Sequence, residues 1–347
     1  MNLLDFCEKV RKNLAEYIGE EAGVSIKKVM KNNGILLHSV IVSHKGQNLS
    51  PNIYLDELYR DYEAGEPFAC IMDRVYKVYE ENGHRENLDI SFFLEYEKLR
   101  DQVVYKVINR EKNEELLEAV PWEPFLDMAI VFYCHVPGNS LGNATIMIYN
   151  NHLDMWGITK EQLHEDAFRN TSRIMPARIL SIEKMMASLV SEEGLMAEGR
   201  PGSEERPESE ERPGSEGRPG SEERPGSKEG RIVKKGRVEE SRQDILAELE
   251  ESGRMFVLGN TMKLFGAAAV LYEGLLEQIR ERLGRNLFIL PSSVHEVILI
   301  PDDEQQEAEE LLQMVCDINA TQVEPEEVLT DSVYYFSRKC GKLEKIC

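Results

Sequence analysis

The first eighty residues change from a helical to a strand spacing of apolar positions and back again. Apolar residues first recur at steps of three or four, which predicts an amphipathic helix; they are Leu3, Phe6, Val10, Leu14 and Ile18. Residues 24–31 and 35–43 have the pattern of two strands joined at Asn32–Gly34, a sequence typical of a β-hairpin turn. Helices are predicted over 51–64 and 68–81, so this part should form a helix–hairpin–helix layer.

The middle of the chain is predicted to contain a long helical stretch, two strands and two further helices. An amphipathic helix or helix pair is expected over 90–117, which is rich in Tyr, Val and Glu. Apolar strands follow at 128–136 and 144–149. A capping-box sequence starts a helix at Thr159, and a further helix is predicted over 179–190.

The last third of the chain alternates strands and helices in the order of a split ferredoxin-like fold. Strands are predicted at 255–258, 287–290, 297–300 and 333–336, and helices at 267–283 and from 301 through 318. We therefore predict the α+β fold class. It would comprise an N-terminal helix–hairpin–helix layer and a C-terminal mixed α/β-sandwich domain.

A six-residue repeat interrupts this order of elements. Arg-Pro-Gly-Ser-Glu-Glu recurs over residues 200–229, where Pro and Gly oppose helix and sheet and no position is apolar. We predict a disordered insertion at 191–236. The predicted domains are an N-terminal α+β domain at 1–118 and a C-terminal α+β domain in two parts, 119–190 and 237–347.

Charge and cysteine spacing narrow the expected classes of partner and cofactor. The formal net charge of -22 favours a protein partner over nucleic acid, because general phosphate-backbone binders carry a basic footprint. No segment approaches the roughly 18 apolar residues of a membrane span, and the N-terminus lacks the features of a secretory signal. A cytoplasmic protein without membrane contact is expected. The cysteines form no C-x-x-C pair and no phosphate-binding glycine motif is complete, so neither metal nor cofactor is expected.

The main candidate for chemistry is a polar group between two apolar runs. Ser292, Ser293, His295 and Glu296 supply the residue types of nucleophile, base and orienting carboxylate. Because strand side chains alternate between faces, Ser293 and His295 should share one face while Glu296 lies on the other. The G-x-S-x-G elbow of hydrolases is missing, and Leu299 occupies the second histidine position of an H-E-x-x-H motif. The group is interpreted as part of a hydrogen-bonded turn first, a ligand site second and a catalytic pair third.

A second polar group follows the strand that ends at residue 149. Asn150, Asn151 and His152 stand just past this strand end, which is a usual place for binding groups. The same residue types also cap a following turn through their side chains. We retain them as a candidate binding or polar site, with local capping as the preferred interpretation.

Two functions are compatible with these patterns. The first is a non-enzymatic binding or interaction protein, which is favoured because no catalytic signature is complete. The alternative is a hydrolase- or transferase-like enzyme that uses Ser293 and His295. A structure would distinguish them by whether a carboxylate and an open pocket accompany this pair.

Three stretches carry a resemblance to a known family. They are Asn-Ile-Tyr-Leu-Asp at 52–56, Tyr-Asn-Asn-His-Leu-Asp-Met-Trp-Gly-Ile-Thr at 149–159 and Ile-Leu-Pro-Ser-Ser-Val-His-Glu-Val at 289–297. Together they resemble the bacterial domain-of-unknown-function family 5688, over almost the whole chain except the repeat. The second half is also similar to another bacterial family of unknown function with the same Leu-Pro-Ser-Ser-type stretch. The resemblance implies a bacterial cytoplasmic protein and brings no activity, cofactor or catalytic residue.

Overall fold

The computed structural model describes most of the chain outside the repeat. The described residues are 1–47, 50, 52–82, 91–139, 142–185, 245–249, 254–291 and 293–346. The predicted disordered insertion at 191–236 and the candidate residue Ser292 lie outside these ranges. Within them, helices combine with antiparallel sheets in a mixed α+β fold, which confirms the predicted fold class.

The first part of the chain forms a small antiparallel sheet with three helices. Its elements are α1 (Leu3–Ile18), β1 (Ala22–Met30), β2 (Leu36–His44), β3 (Asn52–Tyr54), α2 (Asp56–Glu63) and α3 (Phe68–Asn82). β1 and β2 form the predicted hairpin, and β3 pairs with the other side of β2. The helix predicted over 51–64 is wrong at its start, because β3 pairs there and α2 begins at Asp56.

A first hydrophobic core fills the space between this sheet and its helices. Its side chains come from one face of each helix and from the inner face of β2, as the apolar spacing predicts. They include Phe6, Val10, Leu14, Val40, Val42, Ile71 and Val75, each with no exposed surface. The buried members of this core fall between Phe6 and Tyr79.

The middle of the chain forms a four-stranded antiparallel sheet. After α4 (Tyr96–Leu99), its elements are β4 (Val103–Asn109), α5 (Glu114–Ala119), β5 (Trp122–Phe125), β6 (Met128–Asn139) and β7 (Gly142–Met147). β6 pairs with β4 on one side and with both β5 and β7 on the other. The long helix predicted over 90–117 is therefore wrong. Val, Tyr and Ile dominate β4, which is buried on both faces and carries the near-continuous apolar pattern of a central strand.

Two helices follow this sheet, α6 (Asn150–Trp156) and α7 (Lys160–Ile174). The Thr159 hydroxyl accepts the Gln162 N–H at 3.2 Å, which confirms the predicted start of α7. The inner face of α7 binds the start of β4: Asn170 donates to the Val103 carbonyl at 3.1 Å, and the Thr171 hydroxyl accepts the Tyr105 N–H at 3.1 Å. These bonds satisfy polar groups that are buried beside the sheet.

The last part of the chain forms a six-stranded antiparallel sheet. Its elements are β8 (Ala177–Ser181), β9 (Phe256–Asn260), α8 (Leu275–Leu283), β10 (Leu287–Leu290), β11 (Val297–Pro301), α9 (Ala308–Thr321), β12 (Tyr334–Phe336) and β13 (Leu343–Lys345). The strand order is β13-β12-β10-β11-β9-β8. β9 and β10, which α8 connects, are separated in the sheet by β11. β11 and β12, which α9 connects, are separated by β10. The predicted order of elements, strand–helix–strand–strand–helix–strand, is thus present over β9–β12, and the ferredoxin-like topology itself stays a prediction.

Two helices predicted in this region are wrong in part. Residues 179–181 belong to β8, which pairs with β9, rather than to a helix over 179–190. The helix predicted over 267–283 is divided into a 3-10 helix at Gly266–Leu271 and α8. Gly274, with a left-handed φ of 70°, separates the two.

A second hydrophobic core joins the four-stranded and six-stranded sheets. Its buried members extend from Tyr96 to Phe336 and include Ile245 and Leu249, which lie just after the repeat tract. The predicted boundary between residues 118 and 119 falls inside this core, and the division into domains stays a prediction. Among the described helices, none has both the length and the apolar character needed to cross a membrane.

Candidate functional site

Ser293 lies in the loop between β10 and β11, where its hydroxyl stabilises a tight turn. Its Oγ accepts the N–H of His295 at 3.1 Å and the N–H of Glu296 at 3.2 Å. The Ser293 backbone also forms an isolated β-bridge with Val328. A hydroxyl that accepts two local N–H groups acts as a turn cap.

His295 is held by both of its ring nitrogens. Nδ1 accepts the Phe265 N–H at 3.2 Å, so the ring proton is on Nε2, which lies 3.3 Å from Oε1 of Glu327. The ring also stacks on Phe265 at 5.7 Å between centroids. His295 is therefore fixed in one orientation by a backbone donor, a carboxylate and an aromatic ring.

The predicted catalytic pair is on one loop but is not joined by a hydrogen bond. Among the described residues, the Ser293 hydroxyl contacts backbone N–H groups, and the His295 ring contacts Phe265 and Glu327. Glu327, which was not singled out from the sequence, supplies the carboxylate that Glu296 does not. It lies 32 positions after His295 in a different loop, so only the tertiary fold brings them together.

The backbone beside His295 is packed closely against a glycine. A Cβ added at Gly266 would lie 2.4 Å from the His295 carbonyl oxygen, which is shorter than any real contact of this kind. Phe265, immediately before it, has a left-handed φ of 52°. The close approach explains why a glycine stands at this position.

The second predicted group, Asn150, Asn151 and His152, lies at the start of α6. His152 Nδ1 accepts the Tyr149 N–H at 3.1 Å, which supports the local capping interpretation. Its ring packs against Phe93 and Trp156 at 5.0 and 5.5 Å between centroids, and burial lowers the pKa of His152. Asn151 is exposed. No hydrogen bond or ring contact between described residues joins this group to Ser293 or His295.

Asn150 lies at the edge of an open groove of about 390 Å3. Its amide donates to the Glu118 carbonyl at 3.2 Å, which positions it beside the end of α5. The groove is mainly apolar, with an amide and an ammonium group among its lining residues. They are Leu117, Val120, Pro121, Trp122, Pro124, Asn150 and Lys160.

Asp127, at the turn between β5 and β6, is a half-buried carboxylate that the sequence does not single out. Its carboxylate accepts the hydroxyls of Tyr334, Ser332 at 2.8 Å and Thr330 at 3.1 Å, and the Lys345 ammonium at 3.0 Å. Burial favours the neutral acid, but these donors prevail and lower the pKa of Asp127 to about 2. A carboxylate this acidic is a poor general base, so we interpret the cluster as structural.

Metal ligands are not clustered in the parts of the chain that the structure describes. Within those ranges, no group of three or more histidine, cysteine, aspartate or glutamate side chains is arranged to hold a metal ion.

Comparison with known proteins identifies a family and no activity. A family model described as "Family of unknown function (DUF5688)" matches residues 3–338, which confirms the resemblance seen in the sequence. No curated protein matches the chain. No solved structure matches it.

Proposed function

Since this chain belongs to DUF5688, a family of unknown function, we propose its function from the groove beside Trp122. It is a non-enzymatic binding protein that holds an extended apolar segment of a protein partner. The observation that carries the proposal is the apolar groove of about 390 Å3, with a tryptophan and two prolines in its lining. Aromatic-lined grooves are a recurring means of recognising extended peptides, and tryptophan supplies a large contact area at low entropic cost.

The position of the groove supports an extended partner. The groove includes Trp122 and Pro124 of β5, which is an edge strand of the four-stranded sheet. Among the described residues, no strand pairs with the outer side of β5. Extended segments bind such edges through main-chain hydrogen bonds. Pro124 carries no N–H, so side-chain contacts with Trp122 would supply much of the affinity.

Two polar residues at the groove favour a partner that also carries a carboxylate or a free N–H. The Lys160 ammonium forms no salt bridge within the described ranges, and it can bind a carboxylate of the partner. Asn150 is fixed by its bond to the Glu118 carbonyl and presents its amide oxygen as an acceptor. A small number of placed polar groups in an apolar cleft is the usual composition of a specific site.

The alternative function, a hydrolase- or transferase-like enzyme that uses Ser293 and His295, has weaker support. The Ser293 hydroxyl accepts two backbone N–H groups, whereas a serine nucleophile needs its proton in contact with the base. His295 Nδ1 is occupied by Phe265, and Nε2 faces Glu327. These contacts are better explained as interactions that stabilise the loop between β10 and β11.

A cytoplasmic location is part of the proposal. The described cysteines Cys7, Cys70, Cys134, Cys316 and Cys340 are free thiols. Free thiols persist in a reducing compartment, whereas secreted proteins tend to form disulfides. The partner is accordingly expected to be another cytoplasmic protein.

The proposal is tested with the fluorescence of Trp122. Because the chain has two tryptophans, the Trp156→Phe variant leaves Trp122 as the reporter at the groove. Peptides selected from a displayed random library on this variant are then titrated against it. We expect apolar, extended sequences that shift the Trp122 emission and saturate.

Two variants distinguish binding at the groove from non-specific binding to exposed apolar surface. Trp122→Ala should abolish the enrichment of these peptides, because it removes the main apolar contact of the groove. Met314→Ala, at an exposed apolar residue of α9, should leave it intact, with circular dichroism used to check folding. Equal binding by Trp122→Ala and the parent would rule out the groove as the binding site.

A further inference from the structure

The outer edge of β1 combines an unpaired strand with positive charge in an acidic protein. β1 is an edge strand of the first sheet, whose order is β1-β2-β3, and among the described residues no strand pairs with its outer side. The chain has no Asp or Glu from residue 22 to residue 55, although its formal net charge is -22. The same segment carries four lysines, which are Lys27, Lys28, Lys31 and Lys45.

The hydrogen bonds of the hairpin show which backbone groups of β1 face its free edge. The Lys31 N–H donates to the Ile35 carbonyl at 2.7 Å, so this pair is bonded across the hairpin. Bonded pairs alternate along an antiparallel ladder, and the odd-numbered residues of β1 are therefore the ones that bond to β2. The N–H and C=O groups of the even-numbered residues, which include Val24, Ile26 and Lys28, point away from the sheet.

The side chains of β1 differ between the two faces that an added strand would continue. Val24 and Ile26 pack against the first hydrophobic core and are only partly buried, so they form its open margin. Lys28 follows on the same face and Lys27 lies on the opposite face, and both are exposed. Within the described ranges, neither ammonium group forms a salt bridge.

The charge of this edge favours an acidic strand over a second copy of the chain. Lysines on an edge strand oppose pairing with a strand of like charge. Two copies joined through β1 would bring Lys27 and Lys28 of both chains into one ribbon, and β1 contains no carboxylate to offset them. A strand with alternate carboxylates would instead meet cations, and its apolar residues would cover Val24 and Ile26.

A nucleic acid fits this sheet less well than a peptide does. Tyr54 is the single tyrosine, phenylalanine or tryptophan of the three strands. The Nζ of Lys31 lies over its ring, 4.0 Å from the centroid. That ring face is therefore not free to stack a base, which is the usual means of binding single strands.

We propose that β1 binds an extended acidic segment of a protein partner, which adds to the first sheet as a fourth strand. Main-chain hydrogen bonds to the even-numbered residues supply affinity, and the lysines select against neutral and basic segments. This surface is separate from the groove beside Trp122, which includes residues of β5 in the four-stranded sheet. Either site can therefore fail its test without affecting the other.

The probe for this edge is a fluorescent peptide of alternating Glu and Val, and a peptide of alternating Lys and Val is its counterpart. Binding to the full chain is followed by fluorescence anisotropy. We expect the acidic peptide to bind at least about tenfold more tightly, because cross-strand charges of opposite sign attract and those of like sign repel. The double variant Lys27→Glu/Lys28→Glu should reverse this preference, whereas Lys339→Glu, at an exposed turn residue after β12, should leave it unchanged.

Two measurements on the unaltered protein distinguish strand pairing from charge attraction alone. N-methylation of the main-chain nitrogens of the acidic peptide keeps its charges and removes its donors, so it should abolish binding. Amide hydrogen exchange should show that the unmethylated peptide protects Val24, Ile26 and Lys28, whose N–H groups face the edge.

Three results would overturn the proposal. The first is an acidic peptide that binds no more tightly than the basic one, or that binds without protecting these amides. The second is tighter binding of a single-stranded RNA of the same length, which would assign the surface to nucleic acid. The third is protection of the same amides in concentrated protein without peptide, which would assign the edge to a second copy of the chain.

Discussion

The Asp127 carboxylate links two sheets, because it lies at the turn before β6 and accepts bonds from β12, β13 and the loop before them. Tyr334 and Lys345 lie on those strands, while Thr330 and Ser332 precede them. Carboxylates that receive several donors while partly buried contribute more than exposed ion pairs. Substitution of Asp127 therefore measures how much one side chain contributes to the stability of the junction between these two sheets.

Replacing Asp127 with Asn should destabilise the protein, and the loss should depend on pH. The folded pKa of about 2 lies below the ordinary value of 3.8, so the carboxylate stabilises the fold above the unfolded pKa. This contribution, about 2 kcal/mol, is lost as the pH falls from about 4 to 2, because the unfolded chain binds the proton first.

Urea unfolding measured near neutral pH and near pH ~2 checks this linkage. The difference in unfolding free energy between the parent and Asp127→Asn should shrink as the pH falls. Asp154→Asn, at an exposed position of α6, is the matched control and should have little effect at either pH. An Asp127→Asn loss that is the same at both pH values would contradict the assigned role.

Gly266 is a second position at which one atom decides the local structure. Gly266→Ala would place a Cβ 2.4 Å from the His295 carbonyl oxygen, and backbone must move to relieve the clash. We expect a loss of about 3 kcal/mol in the free energy of unfolding. Gly259→Ala is the graded control, because its Cβ would lie 3.3 Å from the same oxygen. Equal losses for the two variants would show that the close approach of the His295 carbonyl oxygen is not the reason for a glycine at position 266.

The hairpin of β1 and β2 inserts its tip into the rest of the molecule. The Asn33 side chain donates to the carbonyls of Pro325 at 2.8 Å and Val328 at 2.7 Å, and accepts from Asn113 at 2.9 Å. Val328 belongs to the same loop as Glu327, the partner of His295. The buried Asn33 side chain thus connects the first core to the loops of the second.

Substituting Asn33 with Gly should release the hairpin tip without straining the turn. Glycine keeps the left-handed φ of 61°, so the variant removes only the side-chain bonds and leaves buried partners unsatisfied. We expect a loss of about 3 kcal/mol, at roughly 1 kcal/mol for each bond. Asn32→Ala, which removes one bond to the Glu326 carbonyl, should cost less.

Amide hydrogen exchange locates this effect. Residues 325–328 and the hairpin tip should exchange faster in Asn33→Gly, while α1, in the first core, should keep its protection. Faster exchange throughout the first core with no change at residues 325–328 would contradict the role of Asn33 in connecting the hairpin tip to this loop.

Elements with local signals were predictable, and those that depend on distant partners were not. Asn32–Gly34 specifies a hairpin through its turn residues alone, and the Thr159 cap marks the start of α7. β4 was assigned to a helix because a strand buried on both faces has no alternating pattern. The Asp127 cluster joins side chains more than 200 positions apart, so no sequence spacing indicates it.

The contacts of the candidate sites were likewise predictable only where they are local in sequence. Strand alternation does not apply to Ser293, His295 and Glu296, because they lie in the loop before β11, and the carboxylate that meets the His295 ring is Glu327 from a different loop. The turn-capping role of Ser293 follows from its position in a short polar loop. Phe265, which fixes His295 and contacts Lys106, comes from a separate segment. These two contacts of Phe265 could only be found from the tertiary structure.

At the scale of the whole molecule, the repeat tract differs in composition from the segments that form the hydrophobic cores. Residues 200–230 contain no aliphatic, aromatic or cysteine side chain, so they offer nothing to a hydrophobic core. The chain on either side does contribute: Ile179 precedes the tract, Ile245 follows it, and both lie in the second core.

Deleting residues 200–230 should therefore change the melting temperature by less than about 2 °C, because closure entropy varies slowly with loop length. Differential scanning calorimetry of the parent and the deletion variant provides the measurement. A variant in which the tract is replaced by Gly and Ser at equal length controls for loop length. A large fall in melting temperature in both variants would show that the tract has a stabilising role that its composition does not indicate.

The pairing of β8 with β9 has a consequence for how the gene can change. Ser181, the last residue of β8, lies opposite Phe256, the first residue of β9, so the chain leaves the sheet and returns to it at neighbouring points. Each repeat unit is six residues long, and six whole codons can be gained or lost by replication slippage without shifting the reading frame. Such events alter only the length of chain between two paired residues. The number of repeats is thus free to drift, or to be selected for reasons unrelated to stability, while the pairing of β8 with β9 stays as it is.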